Sequence, residues 1–139
     1  MGWQPYKLDQ AAHDLVFPRR NMRSDGEKNV LGQAYKMRTA VAYGLERFWG
    51  EQLRLKDEEA NYWKATWDKL VEIMLLADIE IPNNADRAQQ IHDLWNFPMN
   101  DRKVAIAVLT QLCDCMVWWT QRYKQLEISL GDEGDDTET

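Results

Sequence analysis

The chain is poor in residues that interrupt or cross-link a fold, with four prolines, seven glycines, two cysteines and two histidines among 139 residues. Two cysteines give no disulfide framework. Long hydrophobic runs are missing as well. The longest, Val104 to Leu109, falls far short of the roughly 20 residues that span a bilayer, so no membrane anchor is expected. Residues 1 to 10 carry one lysine and no apolar stretch, which argues against a secretory signal there and for a reducing cytoplasm. Equally absent are a Gly-rich phosphate loop, a nucleophile elbow and an HExxH pair, and with them the familiar catalytic signatures. The expectation is a protein without catalytic residues, cofactor or metal.

What the chain does have is helical periodicity. Val30, Ala34, Met37, Val41, Leu45 and Phe48 recur at alternating spacings of four and three, which places them on one face of a helix. Ala60, Trp63, Trp67, Leu70 and Met74 repeat the pattern, as do Val104, Val108, Leu112, Cys115, Trp119 and Tyr123, while no segment alternates as a strand would. An apolar content of 45% with seven tryptophans is ample for one core. The pattern predicts an all-α, single-domain bundle of about five helices over residues 1–130, followed by a disordered acidic tail over 131–139.

The first helix is expected from about Tyr6 to Val16, with Pro18 preventing its continuation. The Arg-rich segment 17–28 forms a loop, in which Ser24 and Glu27 have the spacing of a capping box. A second helix then runs to about Leu55, roughly 40 Å at the usual rise per residue. Gly32, Gly44 and Gly50 lower its propensity, marking places for a close helix crossing or, near Gly50, a break. Asp57 caps a third helix that Ile81-Pro82 closes. Asn83 or Asn84 caps a fourth reaching about Trp95, and Asn100 caps the fifth. Between Val104 and Trp119 the fifth is apolar on more than one face and so central.

The formal charge of −6 arises mainly in residues 131–139, which hold five acids and no base. Of the remainder, residues 1–56 carry ten bases against six acids, and residues 57–130 seven against twelve. Such asymmetry fits a polyanion on one side and a protein neighbour on the other, although scattered surface charge gives the same count. Glu46, Glu51, Glu58, Glu59, Asp68, Glu72 and Asp78 raise the alternative of an all-helical, magnesium-dependent nucleotide pyrophosphohydrolase. The pair of acids three residues apart that such sites use is missing, because Leu75 stands at that distance after Glu72. Cys113 and Cys115 lie about 200° apart on a helix and cannot share a metal, so both read as structural thiols. His13 and His92 fall on different helices with no ligand motif beside them, and read as surface histidines.

Bases and aromatics carry the more useful hint. Arg19, Arg20 and Arg23 cluster in the first loop, and Lys28, Lys36, Arg38, Arg47 and Arg54 follow along the second helix. Spacings of eleven and seven return Lys36, Arg47 and Arg54 to nearly one face, a stripe suited to a phosphate backbone, with Tyr35 and Tyr43 close by to stack on bases. An ordinary solvated helix face uses the same residue types. Trp63, Trp67 and Trp119 fall on core stripes. Trp118 points about 100° from Trp119, to the edge of the core or outside it, and together with Trp49 would mark a surface where another protein docks.

The last helix, Lys103 to Glu127, reads KVAIAVLTQLCDCMVWWTQRYKQLE. An apolar helix ending in Trp118 and Trp119 followed by Arg122 and Tyr123 resembles the closing helix of the small helical subunits of CRISPR effector complexes, of type I or type III. The resemblance implies a non-catalytic subunit that packs beside copies of itself and other effector subunits. Its contacts would go to the sugar-phosphate backbone of a guide RNA or target strand, without base readout. The candidate nucleic-acid contacts are then Arg19, Arg20, Arg23, Lys36, Arg38 and Arg47, with Arg122 and Lys124 as a second patch, while the acidic stretch 57–95 faces protein neighbours. The competing expectation is a helical protein–protein interaction module, of a phage or regulatory kind, that binds no nucleic acid.

Overall fold

In a computed structural model of the chain, backbone is described over residues 5–23 and 29–134, with side chains over 7–23 and 29–126. Helices α1 (Pro5–Val16), α2 (Gln33–Ala40), α3 (Leu45–Arg54), α4 (Asp57–Leu75), α5 (Arg87–Trp95) and α6 (Met99–Gly134) form an all-α bundle, with no strand among the described residues. Single 3-10 turns at Phe17–Arg19, Val30–Gly32 and Val41–Tyr43 join the early elements. No helix of the described residues is long and apolar enough to cross a membrane.

The stripe from Val30 to Phe48 is buried throughout, yet no single helix carries it. The expected second helix is divided between the turn at Val30–Gly32, α2, the turn at Val41–Tyr43 and α3, and the break falls at Gly44 rather than near Gly50. Gly44 takes φ 98° and ψ 171°, a conformation open almost only to glycine, while its N–H still donates to Val41 O (3.1 Å) and its carbonyl accepts from Phe48 N–H (3.1 Å). Periodicity reports which residues face the core, and it is silent on whether the axis between them is straight.

Five other helix ends differ from expectation. Asp57 is the first residue of α4, at φ 51°, with Lys56 in the cap position. Well before Ile81-Pro82, α4 closes in a Schellman-type turn: Asp78 adopts φ 61° and Ile79 N–H donates to Met74 O (3.1 Å). Asp86, rather than Asn83 or Asn84, caps α5 by accepting from the N–H groups of Ala88 (3.0 Å) and Gln89 (3.4 Å). α6 begins at Met99, one residue before the expected cap Asn100, and continues through Gly134 into the segment read as a disordered tail. Residues 135–139, the Ser24/Glu27 capping box and Lys28 lie outside the described residues.

α6 is the central helix, packed on α1, α2 and α4. Its buried face is Ala105, Val108, Leu109, Leu112, Cys113, Met116 and Thr120. That face is rotated from the expected stripe: Val104 is exposed, while Cys115, Trp119 and Tyr123 are half-buried. From α4 come Tyr62, Trp63, Trp67, Leu70 and Met74, with the Phe48 ring 4.9 Å from that of Trp63 and 6.4 Å from that of Trp67. Trp49 is buried in this core and is no docking surface, because α3 turns it inward beside Phe48. The α4–α5 loop is pinned by Pro82 O, which accepts from Trp67 Nε1 (3.3 Å) and Gln90 Nε2 (2.8 Å). Arg102 ties the start of α6 to α3 through Glu46 Oε1 (3.0 Å) while donating to Leu94 O at the end of α5.

Candidate nucleic-acid interface

Ten residues along the outer side of the segment from α2 to α3 follow a repeated spacing. Tyr35, Lys36, Thr39, Ala40 and Tyr43 stand at i, i+1, i+4, i+5 and i+8, and Glu46, Arg47, Gly50, Glu51 and Arg54 repeat those intervals eleven residues on. On a straight helix this stripe would be a convex ridge. With the break at Gly44 between its two halves, the same ten residues, together with Trp63 of α4, line one open groove of about 820 Å³.

The groove joins aromatic rings to positive charge. Tyr43 is 65% exposed, with the Arg47 guanidinium 5.6 Å from its ring centre, and Tyr35 is also exposed. Lys124 reaches across from α6 to stand 5.5 Å from the Tyr35 ring. The two acids of the lining are already engaged: Glu51 pairs with Arg54 (2.6 Å) and Glu46 with Arg102 (3.0 Å). Lys36 and Arg47 form no ion pair among the described residues. The groove therefore presents two uncompensated cations beside two accessible rings, the combination that tracks a phosphate chain and stacks on bases.

A second basic and aromatic region, the seam between α1 and α6, is built differently. The His13 ring nitrogen Nε2 and the Tyr123 hydroxyl are 2.7 Å apart, and the His13 ring stacks on Phe17 (5.3 Å) and meets Trp119 edge-on (4.4 Å). Trp119 donates to Asp9 Oδ1 (2.9 Å) and packs edge-on against Trp118 (4.9 Å). Arg20 lies 3.7 Å over the Phe17 ring and Arg122 4.0 Å over Trp118. These cations lie closer over their rings than Arg47 does to Tyr43 or Lys124 to Tyr35, and the seam adds hydrogen bonds that join its two helices.

Of the residues singled out from the sequence, the groove thus collects Lys36, Arg47 and Arg54 and, through Tyr35, Lys124. The others are spread. Arg19 is half-buried, donates to Leu15 O (2.8 Å) and lies 4.9 Å over the Tyr62 ring, and desolvation lowers its pKa. Arg20 donates to Phe17 O (2.7 Å), and Arg38 pairs with Asp114 of α6 (2.6 Å). Arg23 is exposed, in an isolated backbone bridge with Asn29. His13, read as a surface residue, instead joins α1 to α6, a role that no spacing within either helix announces. Trp118 is 45% exposed, at the core's edge as expected, but the most exposed tryptophan among the described residues is Trp95, at 78%, which no spacing singled out.

Among the described residues no group of three or more His, Cys, Asp and Glu is placed to hold a metal ion. Asp68 pairs with Lys64 (3.1 Å) and Glu72 with Lys69 (3.3 Å), as on a solvated helix face. Cys113 and Cys115 are free thiols, and burial pushes the Cys113 thiol up to about 12, far from the thiolate that nucleophilic chemistry needs. Comparison with known proteins finds no family model, curated protein or solved structure that matches the chain.

Proposed function

We propose that the chain is a non-catalytic helical subunit that lies along a nucleic-acid backbone within a ribonucleoprotein assembly, of the kind its last helix resembles, the CRISPR effector small subunits. The observation that carries this reading is the α2–α3 groove, where Lys36 and Arg47, without an ion pair among the described residues, share the lining with Tyr35 and Tyr43. Backbone contact of this kind is electrostatic and indifferent to sequence. Copies of the chain and other effector subunits are the protein partners that this reading implies, and a cytoplasmic setting goes with it.

The test is a titration of the purified chain with fluorescein-labelled oligouridine over a range of salt concentrations. Binding should fall linearly on a log–log plot, and Lys36→Glu with Arg47→Glu should flatten the slope by about 1.4, the loss of two phosphate contacts to a single strand. Absence of binding at every salt concentration overturns the proposal.

A second reading, a protein–protein interaction module, draws on one observation. Ile91 and Trp95 stand four residues apart on α5, 52% and 78% exposed, with Met99 beyond them also exposed. Exposed tryptophan is the residue most enriched where proteins dock.

A further inference from the structure

The floor of the α2–α3 groove is low where its rim is high. Among the lining residues Thr39, Ala40 and Gly50 are small and, with Trp63, make the floor by size, while Tyr35, Tyr43, Lys36, Arg47 and Arg54 carry the long side chains. Gly50 lies within α3 at a cost of about 1 kcal/mol relative to alanine. No contact among the described residues requires it. A Cβ built at Gly50 meets no atom within 4 Å, whereas one at Gly32 would touch Lys124 and Gly44 is held by its positive φ. Gly50 lines the groove, as do Tyr43, Arg47 and Arg54.

Three polar groups of the lining, on Trp63, Thr39 and Glu51, already have partners. Trp63 Nε1 donates to Gln33 Oε1 (2.7 Å), Thr39 Oγ1 donates to Tyr35 O (3.2 Å), and the Glu51 carboxylate is held by Arg54. A ligand settling there finds apolar surface on the floor, and the groups left to meet it are the cations and phenol rings of the lining. Recognition of that kind works through stacking and phosphate neutralisation, and it tolerates any sequence.

We propose that the groove takes a single strand, with one unpaired base laid over Gly50 against Tyr43 and the flanking phosphates on Lys36 and Arg47. The inference rests on the nucleic-acid reading above and adds the form of the partner. A duplex keeps its bases stacked inside and offers only its backbone to the rim, so it can engage Lys36 and Arg47 without reaching the floor.

The experiment compares labelled oligouridine, alone and annealed to oligoadenosine, against the full chain and its variants, with circular dichroism as the control for folding. The single strand should bind more tightly than the duplex, and oligocytidine about as tightly as oligouridine. Tyr43→Ala and Gly50→Leu should each weaken the single strand about tenfold or more and leave the duplex unchanged. Gly50→Ala separates the site from the fold, since it should raise the thermal midpoint by improving α3 while still weakening the single strand. If Lys36→Glu with Arg47→Glu abolishes binding but Tyr43→Ala and Gly50→Leu leave single-strand affinity intact, the base-binding floor is refuted and the backbone reading stands. If the unmodified chain binds neither form, both fall together.

Discussion

The groove of α2–α3 and the seam of α1–α6 are made from the same residue types and put them to opposite uses. In the seam, Arg20 and Arg122 lie on the rings of Phe17 and Trp118, His13 meets Tyr123, and Trp119 donates to Asp9. In the groove, Tyr43 is largely open, Lys36 and Arg47 have no acidic partner among the described residues, and the two acids of the lining are held by Arg54 and Arg102. Contacts from one helix to the other, His13 with Tyr123 and Trp119 with Asp9, fasten the seam, whereas the open ring of Tyr43 and the cations of the groove are available to a partner. Composition alone cannot tell these uses apart.

Substitutions should separate the two regions. Trp119→Ala, which removes the hub of the seam, should cost about 3 kcal/mol of stability in denaturant unfolding and leave oligonucleotide affinity unchanged in the folded fraction. Tyr43→Ala should do the reverse, staying within about 0.5 kcal/mol of the parent in stability. Next in size is Gly44→Ala. Its φ of 98° strains any side chain by about 1–3 kcal/mol, and straightening of the junction should also lower affinity by opening the groove.

An alkaline test probes the core behind the seam. Burial holds the Cys113 thiol at about 12 against an ordinary 9.0, and also pushes the Tyr62 phenol upward. Both groups are held neutral in the folded chain and ionise earlier in the unfolded one. Their contribution is fully present below pH 9 and is lost as pH rises from there through the folded value of Cys113. Urea unfolding midpoints at about pH 8 and about pH 10 should therefore fall in that order, and replacement of Cys113 by alanine should flatten part of the dependence. The smallest expected effect is at Arg38, whose pair with Asp114 is exposed on both sides. Arg38→Ala should cost under about 1 kcal/mol.

The sequence made the core legible because burial imposes a period. Every member of the Val30–Phe48 stripe is buried, as are Trp63, Trp67, Leu70 and Met74. Helix ends were less legible, since several local solutions compete for them. Asp86 had rivals in Asn83 and Asn84, and Asp78 closed α4 with a left-handed turn more often given to glycine. The grouping of Lys36, Arg47 and Arg54 with Tyr35 and Tyr43 followed from spacing along the chain. That they line a concavity depends on a φ at Gly44 that no periodicity encodes. Contacts between distant segments, such as Lys124 with Tyr35, His13 with Tyr123 and Arg38 with Asp114, lay beyond any local pattern.

The most direct measurement sets two charge-reversed variants side by side, Lys36→Glu with Arg47→Glu in the groove and Arg20→Glu with Arg122→Glu in the seam, titrated with labelled oligouridine at one low salt concentration. We expect the groove variant to lose binding and the seam variant to retain it with a lowered unfolding midpoint. Binding retained by the groove variant and lost by a folded seam variant would contradict the division of roles drawn above.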